Sequence, residues 1–167
     1  LFCAMSKRFQ RGVLKKGICD FMTKRINKLI KKNPNIKFNI FGMNKIQPIW
    51  GEDFKNQLYN SKIALNLSQG VPLKYYSSDR IAQLMGNGIA TLVDKKTELN
   101  KLFSDKEVIF YNTASDLSKK LNFMLKNHKL RNRLAKKGRS IYHKKFNSKI
   151  VADFMICKIF NINKKFN

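Results

Sequence analysis

Acidic residues are scarce in this chain. Ten aspartates and glutamates stand against 35 lysines and arginines, giving a formal net charge of +25. Cysteine is scarce too: Cys3, Cys19 and Cys157 are odd in number and contain no Cys-x-x-Cys pair. That pattern speaks against a disulfide framework or a cysteine-based zinc site and fits reduced, cytosolic thiols. No apolar run reaches the roughly 18 residues that would span a bilayer. The N-terminus has no basic stretch followed by an apolar core and a cleavage site, so no secretory leader is expected. Of the two histidines, His128 and His143, neither falls in a Ser-His-Asp set or a His-Glu-x-x-His run, and Walker and Gly-x-Gly-x-x-Gly loops are missing. There is no internal repeat and no low-complexity linker.

What is present is enough for one domain. The 167 residues are 43% hydrophobic and 11% aromatic, a composition that buries a core without staples and excludes wholesale disorder. The chain opens at Leu1 inside an apolar run, as one domain of a longer protein would. The charge raises nucleic acid or anionic lipid as a partner. However, lysine, asparagine, isoleucine and phenylalanine, which share A/T-rich codons, dominate the composition, and arginine, the better reader of phosphates and bases, is a minor part of the positive charge. The basic excess is spread over 1–35 and 118–167, and neither block is a compact stripe interleaved with aromatics. It reads mainly as a solvated surface, with attraction to anionic membrane as a secondary consequence and no specific nucleic-acid contact.

Along the chain, strand and helix patterns alternate. Residues 1–4 look like the end of a buried strand, followed by a basic loop over 5–17. The stripe Met22, Ile26, Leu29, Ile30 predicts a helix over 18–32. A strand is expected at 36–41, a loop at 42–50, a short helix at 52–60 with Glu52 and Asp53 at its start, and a buried strand at 63–67. Loop 68–78 leads into a helix at 79–87, with Ser77 or Ser78 as cap and Gly88 as the C-terminal glycine. A strand at 89–93, a helix at 95–103 and a strand at 107–111 follow. The rest is helical and ends in a helix over 148–160. Strands separated by helices imply βαβ units and a largely parallel sheet, hence an α/β, Rossmann-like domain with flanking helices and a helical C-terminal end.

In an open parallel sheet, ligands bind beyond the carboxyl ends of the strands. That rule selects the loops at 5–17, 42–50 and 68–78 and the turn near Asp94. The first supplies Arg8 and Lys15; the third supplies Gly70, Lys74, Tyr76, Ser77 and Ser78 and opens a helix with Asp79-Arg80. Small polar residues at a helix start beside an arginine make an anion site. Two such loops on one edge suggest a diphosphate-containing ligand, although Ser77 and Ser78 equally suit simple capping and Arg8 and Lys15 equally suit a solvated loop. Trp50 is placed either to stack on a base or to pack the helix that follows it. The acids nearest this edge, Asp79, Asp94 and Glu98, form no pair that would flank a glycosidic bond.

The run LYNSKIALNLSQG…YYSSDRIAQLMGNGIATLVDKKTELNKLF…EVIFYNTASDLSKKLNFMLKNHKLRNRLAKKGRSIYHKKF, about residues 57–146, resembles the C-terminal half of GT-B glycosyltransferases, and within them the CgeB-like, spore-protein group. The resemblance lies in the order of pieces: a strand ending in Leu-Asn, a loop, a Ser-x-Arg-x-x-Glu-x-x-Ala-x-Gly helix, a strand, then Leu-Phe and basic helices. It implies that residues 1–146 form a Rossmann-like nucleotide-sugar-binding domain and that 147–167, a C-terminal helix and tail, pack on an N-terminal domain outside this chain. It implies a nucleoside-diphosphate sugar as donor substrate, no cofactor, no metal, and an acceptor of unknown kind (glycan, protein or lipid) held by that other domain. Ser78 and Arg80 match the helix start near the donor phosphates. Gln83 stands where the family usually has a glutamate on the nucleotide ribose, and Tyr75 replaces a second glutamate. The expected activity is metal-independent transfer of a hexosyl-like group, weak in this chain alone, in a cytoplasmic or membrane-peripheral protein. The alternatives are a non-enzymatic basic module for nucleic acid or anionic membrane, and a degenerate transferase kept as a scaffold.

Overall fold

The computed structural model describes residues 2–4, 16–42, 45–67, 72–77 and 79–164, with side chains from residue 23 onward. Its elements are β1 (Phe2–Ala4), α1 (Lys16–Lys32), β2 (Asn39–Phe41), α2 (Gly51–Tyr59), β3 (Ile63–Asn66), α3 (Asp79–Gly86), β4 (Ala90–Asp94), β5 (Ile109–Tyr111), α4 (Ala114–Lys126), α5 (His128–Phe146) and α6 (Ser148–Ile159). The five strands form one parallel sheet in the order β2-β1-β3-β4-β5. The expected α/β architecture is therefore present. The expected helix at 95–103 is not. Two 3-10 turns, Lys95–Thr97 and Leu99–Lys101, stand there instead, because Glu98 between them takes a left-handed backbone (φ 55°) that no α-helix can contain.

Every residue of β3, β4 and β5 is buried, as expected of parallel strands covered on both faces. Alternation along the strands divides the core. Ile63 and Leu65, Ala90 and Leu92, and Ile109 and Tyr111 face a layer built from Ile26 and Leu29 of α1 and from Leu117, Leu121 and Met124 of α4. On the other face Val93 and Phe110 pack with Ile81 and Met85 of α3, and Ala64 packs with Leu58 of α2 and Leu84 of α3.

Local chemistry sets the helix ends. Thr113 caps α4 by accepting from the N–H of Asp116 at 3.1 Å, while the Asp116 carboxylate accepts from the N–H of Asn112 at 3.0 Å and from Lys120 at 3.1 Å. Burial works against that carboxylate's charge, but these partners prevail and hold Asp116 below the ordinary aspartate range. Gly88, at φ 72°, ends α3: its N–H reaches the carbonyl of Met85 at 2.9 Å and that of Ile89 reaches Leu84 at 3.0 Å. This is a Schellman closure, with Ile89 and Leu84 in apolar contact across it.

Helix α5 joins the two layers. Leu130 and Leu134 pack with the α1–α4 layer, whereas Ile141, Tyr142 and Phe146 pack with Phe103 and the α3 layer. Between them the helix passes the amino-terminal edge of the sheet. A Cβ on Gly138 would lie 2.6 Å from the carbonyl oxygen of Glu107, just ahead of β5, and the side chain of Arg139 lies against Gly88, just ahead of β4. The guanidinium of Arg131, buried at the start of this crossing, donates to the carbonyls of Met124 at 3.0 Å and Leu125 at 3.3 Å, closing the C-terminus of α4. A second polar tie sits at the far end of α1. Buried Asn33 accepts from Ser118 at 2.8 Å and Asn122 at 2.6 Å and donates to the carbonyl of Leu29 at 2.8 Å, fastening α1 to α4.

Two outcomes test this packing. Gly138→Ala would gain about 1 kcal/mol in an open helix; against the Glu107 carbonyl it should instead lose about 1–3 kcal/mol as overpacking. A urea midpoint that rises in this variant would show that α5 does not approach the strand so closely. Asn33→Ala should cost about 1–2 kcal/mol, since a buried side chain with three hydrogen bonds is lost while half-buried Ser118 and exposed Asn122 can turn to water. Combining it with Asn122→Ala should cost clearly less than the sum of the two; simple additivity in a double-mutant cycle would remove the network.

Candidate functional site at the carboxyl rim

The strand order reverses direction at β1: β2 lies on one side of it and β3 on the other. In such a sheet the crevice opens beyond the carboxyl ends of the two strands at the reversal, here β1 and β3. The segments leaving those strands are 5–15 and 67–78. Arg8, Lys15, Gly70 and Ser78 lie outside the described residues, so the convergence expected of Lys15, Ser78 and Arg80 is not on view.

The described part of the second segment is firmly held. Arg80, in the first turn of α3, donates from Nη1 to the carbonyl of Leu67, the residue that follows β3. One arginine thus closes the base of the loop it helps to form, and among the described residues its fork makes no other hydrogen bond. Tyr75, in the left-handed region at φ 57°, donates its N–H to the carbonyl of Thr97 at 2.7 Å. Lys74 pairs with Glu98 at 3.4 Å, and Lys101 pairs with the same carboxylate at 2.6 Å. Both ammonium groups also lie over the Tyr75 ring, at 5.3 and 5.8 Å from its centre. The bond from Lys101, helped by the charges of Lys101 and Lys74, holds Glu98 below the usual glutamate range, and the same carboxylate raises Lys101. Glu98 is therefore a charged anchor at neutral pH, unsuited to donating a proton.

Tyr76 and Ser77 are exposed on this loop, and Gln83 is exposed one turn beyond Arg80 on the same flank of α3. Trp50 is 53% exposed at the start of α2, its carbonyl accepting from the N–H of Phe54 at 3.2 Å. It follows β2, so β1 separates it from the β3 loop. Asp94, expected as an acid of the binding edge, is instead buried at the end of β4. One oxygen accepts from the N–H of Lys96 at 3.0 Å and the other meets Arg25 of α1 at 3.5 Å. It is committed to structure because the strand it ends is covered on both faces.

Sequence reading passed over Lys95, Lys96 and Lys101. The first two are exposed directly behind β4 and the third joins the Glu98 cluster. The rule that places ligands behind strand ends pointed to Lys95 and Lys96; the Lys74–Glu98 pairing left no local signal. The two histidines are elsewhere: His128 begins α5, and His143 meets the carbonyl of Gly86 at 3.0 Å at the opposite end of α3. The described rim is thus rich in cations, hydroxyls and amide groups and has no histidine, an arrangement for holding an anion in place.

Comparison with known proteins places this geometry. The structure resembles the C-terminal domain of a glycosyl transferase group 1 family protein (LpcC) from Francisella tularensis, with a TM-score of 0.54, 15% identity, and coverage of 80% of this chain and 66% of that one. It also resembles a protein described as a UDP-N-acetylglucosamine 2-epimerase from Listeria monocytogenes, with a TM-score of 0.54, 16% identity, and coverage of 98% of this chain and 45% of that one. The chain thus spans just under two thirds of the first and less than half of the second. At these identities the likeness is one of fold, the C-terminal Rossmann-like half of GT-B proteins, which serves more than one chemistry. No curated protein sequence matches the chain. The profile of the glycosyl transferase-like family matches residues 22–156, from the middle of α1 to α6, and by that match the chain belongs to the glycosyl transferase-like family.

Proposed function

We propose that this domain binds a nucleoside-diphosphate sugar at its carboxyl rim and positions it for glycosyl transfer to an acceptor carried by a separate N-terminal domain. The observation that carries this reading is Arg80 at the start of α3, bonded to the exit of β3, in a chain of the glycosyl transferase-like family. Its guanidinium fork, with the amide groups of the α3 start and the hydroxyl groups of Ser77 and Ser78, suits a diphosphate. Arg8, Lys15, Gly70, Lys74 and Tyr76 would complete the walls. Gln83 would meet the ribose through its amide, and Trp50 the base. As the bond from the anomeric carbon to the diphosphate oxygen breaks, the leaving group keeps both electrons, and these cations would stabilise its charge without a metal. The acceptor oxygen would form the new bond, its base coming from the other domain. The Ser78-x-Arg80-x-x-Gln83-x-x-Gly86-x-Gly88 run supports reading the chain as a CgeB-like member of that family.

The place for the other domain is α6. Its Met155, Ile156 and Ile159, together with Phe160 just past its end, are exposed, whereas Cys157 is buried. We assign this apolar surface to contact with the N-terminal domain.

Thermal unfolding with UDP or GDP tests the donor reading. At a hundredfold excess over the dissociation constant the nucleotide should add about 2.7 kcal/mol, roughly 5–10 °C for a chain of this size. Because Arg80 also closes the loop, Arg80→Ala is judged by its ligand-induced shift, which should fall by more than half. If no nucleotide moves the transition, the scaffold reading replaces the donor site. Replacing Met155, Ile159 and Phe160 together by serine should change the stability of the isolated chain by less than about 0.5 kcal/mol per site, yet weaken its capture of the separately produced N-terminal domain of the parent protein. Undiminished capture would move that contact elsewhere.

A further inference from the structure

A one-sided basic surface lies at the end of the sheet opposite the carboxyl rim. No acidic residue occurs between Asp116 and Asp153, and α5 fills the middle of that interval. At 100° per residue its buried positions, Arg131, Leu134 and Gly138, share one side. Lys129, Arg133, Lys136, Lys137 and Lys144 fall within an arc of about 100° on the opposite side. All five are exposed, and no carboxylate among the described residues pairs with them. They run along about 22 Å of helix. Since α5 crosses the amino edge of the sheet, this stripe faces away from the domain at the end opposite the strand exits.

The stripe begins at a hollow. Lys126, Asn127, His128, Lys129, Leu130 and Arg133 line a depression of about 560 Å³ at the α4–α5 corner. One turn earlier on α4, Phe123 is 53% exposed, its carbonyl accepting from the Asn127 side chain at 2.8 Å. A row of exposed cations along one helix face is what an anionic bilayer selects, since the row can follow the plane of the headgroups. Nucleic acid would instead favour arginine forks and stacking aromatics among the cations; the row is mostly lysine and has no ring in it.

We infer that the outer face of α5, with the α4–α5 corner, is a docking surface for an anionic phospholipid bilayer. Bound this way, the domain presents its carboxyl rim away from the lipid, free for a ligand. The inference is independent of the donor reading, since it rests on charge and topology at the other end of the sheet.

Sedimentation of the 167-residue chain with phosphatidylcholine vesicles, with and without phosphatidylglycerol, tests it. Binding should require phosphatidylglycerol and fall steeply with salt. The combined variant Lys129→Gln, Arg133→Gln, Lys136→Gln, Lys137→Gln should lose roughly a hundredfold or more in partitioning, given about fivefold per cation at the surface. A variant of equal charge change on α1, Lys24→Gln, Lys28→Gln, Lys31→Gln, Lys32→Gln, should lose less than about tenfold. Exchanging lysine for arginine at the α5 positions should restore binding, and matched circular dichroism should show all variants folded. Absence of binding to anionic vesicles, or equal loss in the two glutamine variants, overturns the docking surface. Tight binding to duplex DNA that depends on the same four residues, with vesicles ignored, replaces the bilayer by nucleic acid.

Discussion

The close passage of α5 beneath the sheet is the constraint on which the rest depends. Gly138 brings the helix axis to the Glu107 carbonyl at a distance no side chain would permit. From that point one half of α5 reaches the α1–α4 layer and the other half reaches Phe103 and α3. A parallel sheet is stable only when both faces are covered, and here a single helix ties the two covers together. The buried guanidinium of Arg131 acts in the same place, giving the last carbonyls of α4 a partner as the chain turns into α5.

Fixing the amino edge in this way leaves the carboxyl rim to the loops. There the fold uses charge where it lacks apolar material. Glu98 holds Lys74 and Lys101, Tyr75 lies under both, and the Tyr75 N–H is bonded across to Thr97. These contacts bind the segment after β3 to the turn after β4, so the rim beside α3 is preformed. Two non-glycine residues in left-handed backbone, Tyr75 and Glu98, lie in the same cluster. Such strain persists where surrounding bonds over-determine it. The exposed pairs contribute little to global stability; their effect is on the shape of the rim.

The charge of +25 therefore has more than one destination. Some cations stand on the rim, some are structural, and one set forms the outer face of α5. Arg25, Arg80 and Arg131, all arginines, each bond to a buried or half-buried partner, whereas the α5 stripe is mostly lysine. The division follows their chemistry: a planar fork satisfies fixed acceptors within the fold, and a flexible ammonium suits a solvated surface.

The elements, their order and the parallel sheet were legible in the sequence because each depends on neighbours a few residues away. The 3.6-residue stripe of Ile26, Leu29 and Ile30, the unbroken burial pattern of Ile63–Asn66, and Gly88 after the α3 stripe are all local signals. The run from Ser78 to Gly88 was likewise local and pointed to the family. The 95–103 helix misled because its apolar spacing is helical while Glu98 adopts a backbone that its neighbours do not announce. Tertiary structure alone decided that Asp94 faces Arg25, that Lys74 finds Glu98, and that α5 turns its lysines outward under the sheet. Those partners are far apart in the chain, and what joins them is the crossing of layers, which no short window of residues encodes.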